Sequence, residues 1–241
     1  MRDLDWDGYV NARDLGGLPT SLSSTGFTRP GRLARGPRRE LMTEAGWAAA
    51  RRWGLTSVVD LRCSHETGVR PGDPVVPGAI LESLELISAP TEDQDDPEFR
   101  DVCFPILDSP EYWKHNWRIL PQLVRHSLQS IAQASTGVLV HCSAGRDRTG
   151  MISALLLGNA GVPADDVAAD YAHSVRIMAS TAVHTPGADR QASWSPAEVE
   201  SWLTAVVPIV RHTAQHTGRA FDAIGLADSH RVRLRALLTA D

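Results

Sequence analysis

Apolar positions along this chain fall into two kinds of run, short β-branched stretches and longer helical ones, and the two kinds alternate. TSVVDL (56–61) and GVLV (137–140) are short enough and apolar enough for buried strands, and ILESLEL (80–86) suggests another. Helical sequence follows or precedes each of them. Thr43 and Gly54 bracket an Ala-rich stretch over 43–53 as N-cap and stop. Ser109-Pro110 opens a helical region, and Pro121 begins a second helix running to about Ala134, because proline is tolerated in a first turn and disruptive later. MISALLLGNAG (151–161) is apolar nearly all round and predicts a buried helix that stops at Gly161-Val162-Pro163. Residues 164–179 predict another, with Asp165 and Asp166 in its first turn. Ser195-Pro196-Ala197-Glu198 has capping-box spacing and predicts a helix toward Gly218, with a kink at Pro208; a last helix covers 229–239. The stretches 1–40, 63–79, 88–108 and 180–194 read as loops carrying at most short strands.

This alternation predicts an α/β fold. The 241 residues, 42% hydrophobic and 22% charged, suffice for one core, and no linker divides them, so 1–241 reads as a single domain with an insertion. A net charge of -5 provides no global field for nucleic acid or an anionic membrane, so any anion site must be local. The one basic stretch, Arg29, Arg32, Arg35, Arg38 and Arg39, reads as a solvated loop face, with a rim around an anionic substrate as the alternative. Three cysteines are too few for a disulfide framework, which places the chain in a reducing compartment, the cytoplasm. The acidic start MRDLDWDGYV has no apolar signal core and no run has transmembrane length; export by a route needing neither stays open.

The chemistry concentrates in HCSAGRDRTG (141–150), between the GVLV strand and the apolar helix. A cysteine and an arginine six positions apart mean little alone. Here they enclose a glycine-containing loop feeding a helix N-terminus, where main-chain N–H groups and the helix dipole converge on one spot and favour an anion. Cys142 at its base is the candidate nucleophile, since such surroundings stabilise a thiolate. Arg148 is the candidate clamp, its planar fork suited to two phosphoryl oxygens. Ser143, Ala144, Gly145, Arg146 and Thr149 complete the substrate-binding set, Thr149 offering a hydroxyl to the sulfur, and His141 orients the loop. Asp147 is the candidate proton donor and later base, with Asp108 on the preceding loop as its rival.

HCSAGRDRTG resembles the signature of the protein tyrosine phosphatases, and its internal aspartate is similar to the atypical bacterial branch typified by mycobacterial tyrosine phosphatase B. NARDLGG (11–17), VVDLRCSHE (58–66), ADDVAADYAHS (164–174) and FDAIGLADSHRVRLRALL (221–238) carry the resemblance across nearly the whole chain. It implies a doubly wound, mostly parallel central sheet flanked by helices, with a helical lid for which 180–217 is the candidate. It also implies Asp147 as the essential acid, and metal-free hydrolysis of phosphotyrosine, of phosphoserine and phosphothreonine, and of phosphoinositides through a cysteinyl-phosphate, with no cofactor. The partner is then a phosphorylated protein or a phosphoinositide. Arg146 stands where the branch usually has lysine: the charge is kept and the shape changed. A rhodanese-like sulfurtransferase and a non-catalytic phosphoprotein-binding module are the competing readings; the aspartate, arginine and threonine after the cysteine disfavour the first, and the intact nucleophile and clamp the second. His212 and His216, four apart, read as an exposed polar face rather than metal ligands, and Cys63, after the VVDLR strand, suggests a reversible protective disulfide with Cys142.

Overall fold

The computed structural model describes residues 2–179, 181 and 190–240. In chain order its elements are β1 (Arg13–Asp14), β2 (Leu33–Gly36), α1 (Glu44–Trp53), β3 (Ser57–Asp60), α2 (Gly78–Glu82), β4 (Glu85–Ser88), α3 (Pro97–Cys103), α4 (Trp113–Ile119), α5 (Pro121–Gln133), β5 (Val138–His141), α6 (Asp147–Asn159), α7 (Ala164–Ala179), α8 (Pro196–Gln215), α9 (Thr217–Ala223) and α10 (Asp228–Thr239).

The strands form one sheet in the order β1-β2-β5-β3-β4, parallel except for the antiparallel pair of β1 with β2. Period-two alternation sends side chains to opposite faces. Leu33, Val59, Val138 and Val140 enter a large core with α5, α6, α7 and α8, while Ala34, Val58 and Leu139 enter a smaller one with Trp47 and Ala50 of α1. Helices on both faces make the fold doubly wound. The register sets Gly36, Asp60 and His141 side by side, so the chain leaves three strands at the same carboxyl edge. That edge is where open α/β sheets form their ligand sites.

The helix at the centre of the large core is α6, whose Met151, Ile152, Leu155, Leu156 and Leu157 are all fully buried, as its all-round apolar sequence requires. Each such side chain contributes ~1.5–3 kcal/mol by leaving water. Thr43 caps α1 by accepting from Gly46 N, and Gly54 ends it in the left-handed conformation, φ 107°. Ser195 and Glu198 form the expected capping box of α8, which continues through Pro208.

Several local expectations are corrected. Residues 78–82 are a helix and the strand begins only at Glu85, because Ile80 and Leu84, four apart, pack on the smaller core together with Leu81. Residues 97–103 are helical rather than loop: Asp96 accepts from Phe99 N at 2.8 Å and Pro97 occupies the first turn. The central helix starts at Asp147 instead of Met151, since Gly150 N already donates to Arg146 O at 2.9 Å. Arg35 and Arg38 are not part of a solvated face; they are buried, 1% and 4% exposed. Of the expected lid, residues 180 and 182–189 lie outside the described residues, and 190–193 form a single 3-10 turn in which Gln191 Nε2 donates to Asp108 O at 2.7 Å. No described helix is long and apolar enough to cross a membrane.

Candidate active site

From His141 the chain turns through Cys142, Ser143, Ala144, Gly145 and Arg146 into the first turn of α6, so the whole candidate set stands at one strand-to-helix junction. Cys142 lies deep in it, 2% exposed. The loop carbonyls are engaged by the scaffold. Cys142 O accepts from His141 Nδ1 at 3.1 Å, Ser143 O from Arg38 N at 2.9 Å, Ala144 O from Asn11 Nδ2 at 3.1 Å and Gly145 O from Arg35 Nη2 at 2.7 Å. With the carbonyls held outward, the peptide dipoles point their N–H ends the other way, into the concavity that α6 also faces with its N-terminus.

Gly145 is indispensable to that shape. Its φ is 68°, and a Cβ there would lie 2.4 Å from the carbonyl carbon of Gly36 and 2.7 Å from Pro37 N. Gly145→Ala is expected to cost about 2–4 kcal/mol, left-handed strain added to a backbone clash. A urea titration gives the stability, and binding of tungstate should weaken in parallel.

Behind the loop a buried ion network fixes it. Asp170 of α7 accepts from Arg2 Nη2 at 2.9 Å, Arg13 Nε at 3.1 Å and Arg35 Nη1 at 2.5 Å. Arg13 Nη1 in turn donates to Asn11 Oδ1 at 2.7 Å. Asn11 holds the left-handed φ of 61° that asparagine tolerates better than most residues, and thereby spans Arg13 and the loop. A second network lies beneath the strand ends. Arg62 joins Asp60 (2.7 Å) and Glu40 (2.8 Å), and His141 Nε2 stands 3.7 Å from Asp60. Burial pushes His141 down to about 4, so it is neutral and orients the loop through its Nδ1–H.

Arg148 projects from the first turn of α6 and meets two acids. Glu66 takes both terminal nitrogens, Nη2–Oε1 at 2.7 Å and Nη1–Oε2 closer still, and Glu92 Oε2 is 3.7 Å from Nη1. Burial works against the guanidinium, but Glu92, Glu66 and Cys142 hold its pKa well above the ordinary arginine value. Glu66 thus engages both terminal nitrogens of the guanidinium.

The remaining candidates are placed unevenly. Asp147 follows the loop directly and accepts from Arg146 Nε at 3.0 Å, and Arg146 is itself only 3% exposed. The basic side chain at that position is thus paired with the neighbouring acid. Burial first, then the charge of Asp147 and, more weakly, that of Asp108, raise the hydroxyl pKa of buried Tyr171 against the opposing charge of Arg146. Thr149 is fully buried and its Oγ1 has no hydrogen-bond partner among the described residues. Cys63 is a free thiol donating to Glu92 O at 3.3 Å, and burial pushes it up to about 11, which leaves it a poor nucleophile. His212 and His216 stack at 4.1 Å, and His216 Nδ1 donates to His212 O.

Spacing alone did not reveal Glu92, or the roles of Asn11, Arg35, Glu66 and Asp170. Asn11, Glu66 and Asp170 do lie in the segments that carry the family resemblance, and only Glu92 had no motif around it.

A buried cysteine and a carboxylate-braced arginine stand on one loop at the carboxyl edge of a doubly wound sheet, the arrangement that the phosphatase resemblance leads one to expect. The chain belongs to the tyrosine phosphatase family, whose model matches residues 4–240, and is a protein-tyrosine phosphatase. It is 32% identical over 191 residues to the triple specificity protein phosphatase PtpB of Mycobacterium tuberculosis, covering 69% of this chain and 67% of that protein. A Cupriavidus necator protein named as a tyrosine-protein phosphatase is 30% identical over 71% of this chain and 63% of its own length. The tyrosine-protein phosphatase of Nostoc commune is 29% identical over 66% of this chain and 51% of its own length, so the chain spans between half and two thirds of these relatives.

Proposed function

We propose that the enzyme hydrolyses phosphomonoesters through a cysteinyl-phosphate, with Cys142 as nucleophile. The observation that carries this reading is the engagement of four successive loop carbonyls, from Cys142 to Gly145, by the surrounding scaffold, which leaves the following amides to face the side of the buried sulfur. Ser143, Ala144, Gly145 and Arg146 supply the cradle amides, and Arg148 grips two equatorial oxygens. The sulfur attacks phosphorus as the ester oxygen leaves, and Asp147 gives that oxygen its proton. Asp147, now a carboxylate, then deprotonates the water that attacks the phosphocysteine. Thr149, with its buried unpartnered hydroxyl, donates to the departing sulfur.

The substrate class includes phosphotyrosine, and phosphoserine, phosphothreonine and phosphoinositides are the wider set, as the name of the triple specificity relative suggests. Lipid headgroups would require Arg146 to exchange Asp147 for a second phosphate. The 180–217 segment is the lid in this reading, with α8 as its anchor, packed into the large core through Val199, Leu203, Val206 and Val210.

Acid-quenched turnover of para-nitrophenyl phosphate in the presence of a chelator is expected to leave a phosphoryl group on the peptide that carries Cys142. Phosphate found on any other residue would overturn the mechanism, and chelator-sensitive turnover would argue for a metal enzyme.

A further inference from the structure

Arg148 faces two carboxylates, and one of them already satisfies its terminal nitrogens. Glu66 makes the hydrogen-bonded fork. Glu92 stands farther off, at 3.7 Å, with its side chain 3% exposed, and Gln94 Nε2 donates to Glu92 Oε2 at 3.3 Å. The other titratable groups around Glu92 are Glu66, Cys63, Tyr112 and, on α3, Cys103. Among these Arg148 is the one cation, so two carboxylates, and the Cys142 sulfur beyond them, share a single guanidinium.

We propose that Glu92 is a proton-linked positioning residue for Arg148: it is a carboxylate while the cradle is empty, and takes a proton from solvent when a phosphate-like dianion binds. The inference rests on the reading of Arg148 as the phosphate clamp. The reason is charge balance in a poorly solvated place. A dianion brings two negative charges to a guanidinium that two carboxylates already share, and Coulomb repulsion is weakly screened there. One acid must yield. Glu66 keeps its charge, because its hydrogen bonds and ion pair with Arg148 hold its carboxyl below the ordinary value despite burial. Glu92 lacks a hydrogen bond to the guanidinium, and burial pushes its carboxyl up even in the empty site. Protonated, it ceases to compete with the substrate for Arg148 and relieves the repulsion.

The test is titration calorimetry of tungstate binding in buffers of different ionisation enthalpy, comparing wild type with Glu92→Gln. Wild type is expected to take up a fraction of a proton, about one at most, that the variant does not. Tungstate affinity of wild type should therefore fall as pH rises from about 5.5 to about 8, while that of the variant stays flatter and exceeds wild type by about tenfold at the upper end. The kcat/KM for para-nitrophenyl phosphate should show the same gain at high pH, which loss of a structural brace would not produce. Equal proton uptake in both proteins, or a variant weaker by one factor at every pH, would refute the role of Glu92. Wild type that binds no tungstate at all would instead reject Arg148 as clamp, and Glu92's role with it. Glu92→Leu, neutral and of similar bulk, gives the same comparison if the glutamine variant does not fold.

Discussion

Cys142→Ser is expected to lower kcat for para-nitrophenyl phosphate by more than about 10⁴-fold while tungstate affinity stays within about tenfold of wild type. The two halves of this result come from different parts of the site. Turnover requires a nucleophile that attacks phosphorus and departs again, and a serine hydroxyl, far less acidic than a thiol and a poorer leaving group as alkoxide, does neither at a useful rate. Binding depends on the amides of residues 143–146 and on Arg148, none of which the substitution touches. Their geometry is set from outside, by Asn11, Arg35 and Arg38 on the loop backbone and by Glu66 on the guanidinium. Turnover of a phosphotyrosine peptide would be lost as well. A variant retaining a tenth of wild-type turnover would eliminate Cys142 as nucleophile. Transfer of sulfur from thiosulfate to cyanide by the wild type would support a sulfurtransferase instead.

Asp170→Asn is expected to destabilise the protein by about 3–5 kcal/mol, the range for removing one partner from a buried charge cluster. Asp170 is 2% exposed and is the shared acceptor of Arg2, Arg13 and Arg35, of which Arg13 and Arg35 are each 1% exposed. Burial already pulls Arg35 down to about 10 with Asp170 in place, so without that charge two guanidinium groups would be left buried and uncompensated. The pH dependence has a definite sign. Burial opposes ionisation of Asp170, but the charges of Arg13 and Arg35 and the hydrogen bond from Arg13 outweigh it and hold the carboxyl far below the usual aspartate range. Its stabilisation is therefore complete above the unfolded value of ~3.9 and is lost progressively as pH falls below that. Urea unfolding at neutral pH should show the full deficit, and the deficit should shrink below about pH 4. A loss under about 1 kcal/mol at pH 7 would mean that the network is solvated enough to need no counter-charge. Because Arg35 also donates to Gly145 O, a well-folded variant should still bind tungstate more weakly than wild type.

Local chemistry was legible in the chain wherever neighbours in sequence interact with one another. The strand-loop-helix unit at 137–161, the Thr43 and Ser195 caps, the buried character of α6 and the cluster of Cys142, Asp147, Arg148 and Thr149 all follow from short-range patterning. Elsewhere long-range packing outweighed local signals. Residues 80–86 have strand-like composition, yet Ile80 and Leu81 bury against the smaller core only as a helix. The run Arg29 to Arg39 is basic enough to suggest a solvated face, but Arg35 lies in β2 and reaches an aspartate 135 residues away. Glu66 and Glu92 flank Arg148 from separate loops, and no spacing announces such a meeting. What this sequence determined by itself is the strand-loop-helix junction that gathers Cys142, Asp147, Arg148 and Thr149, and the family the chain belongs to, because adjacent residues are bound to share one junction. Which acids and bases brace that loop was decided by the tertiary structure, since a buried charge takes whatever opposite charge the fold brings within reach.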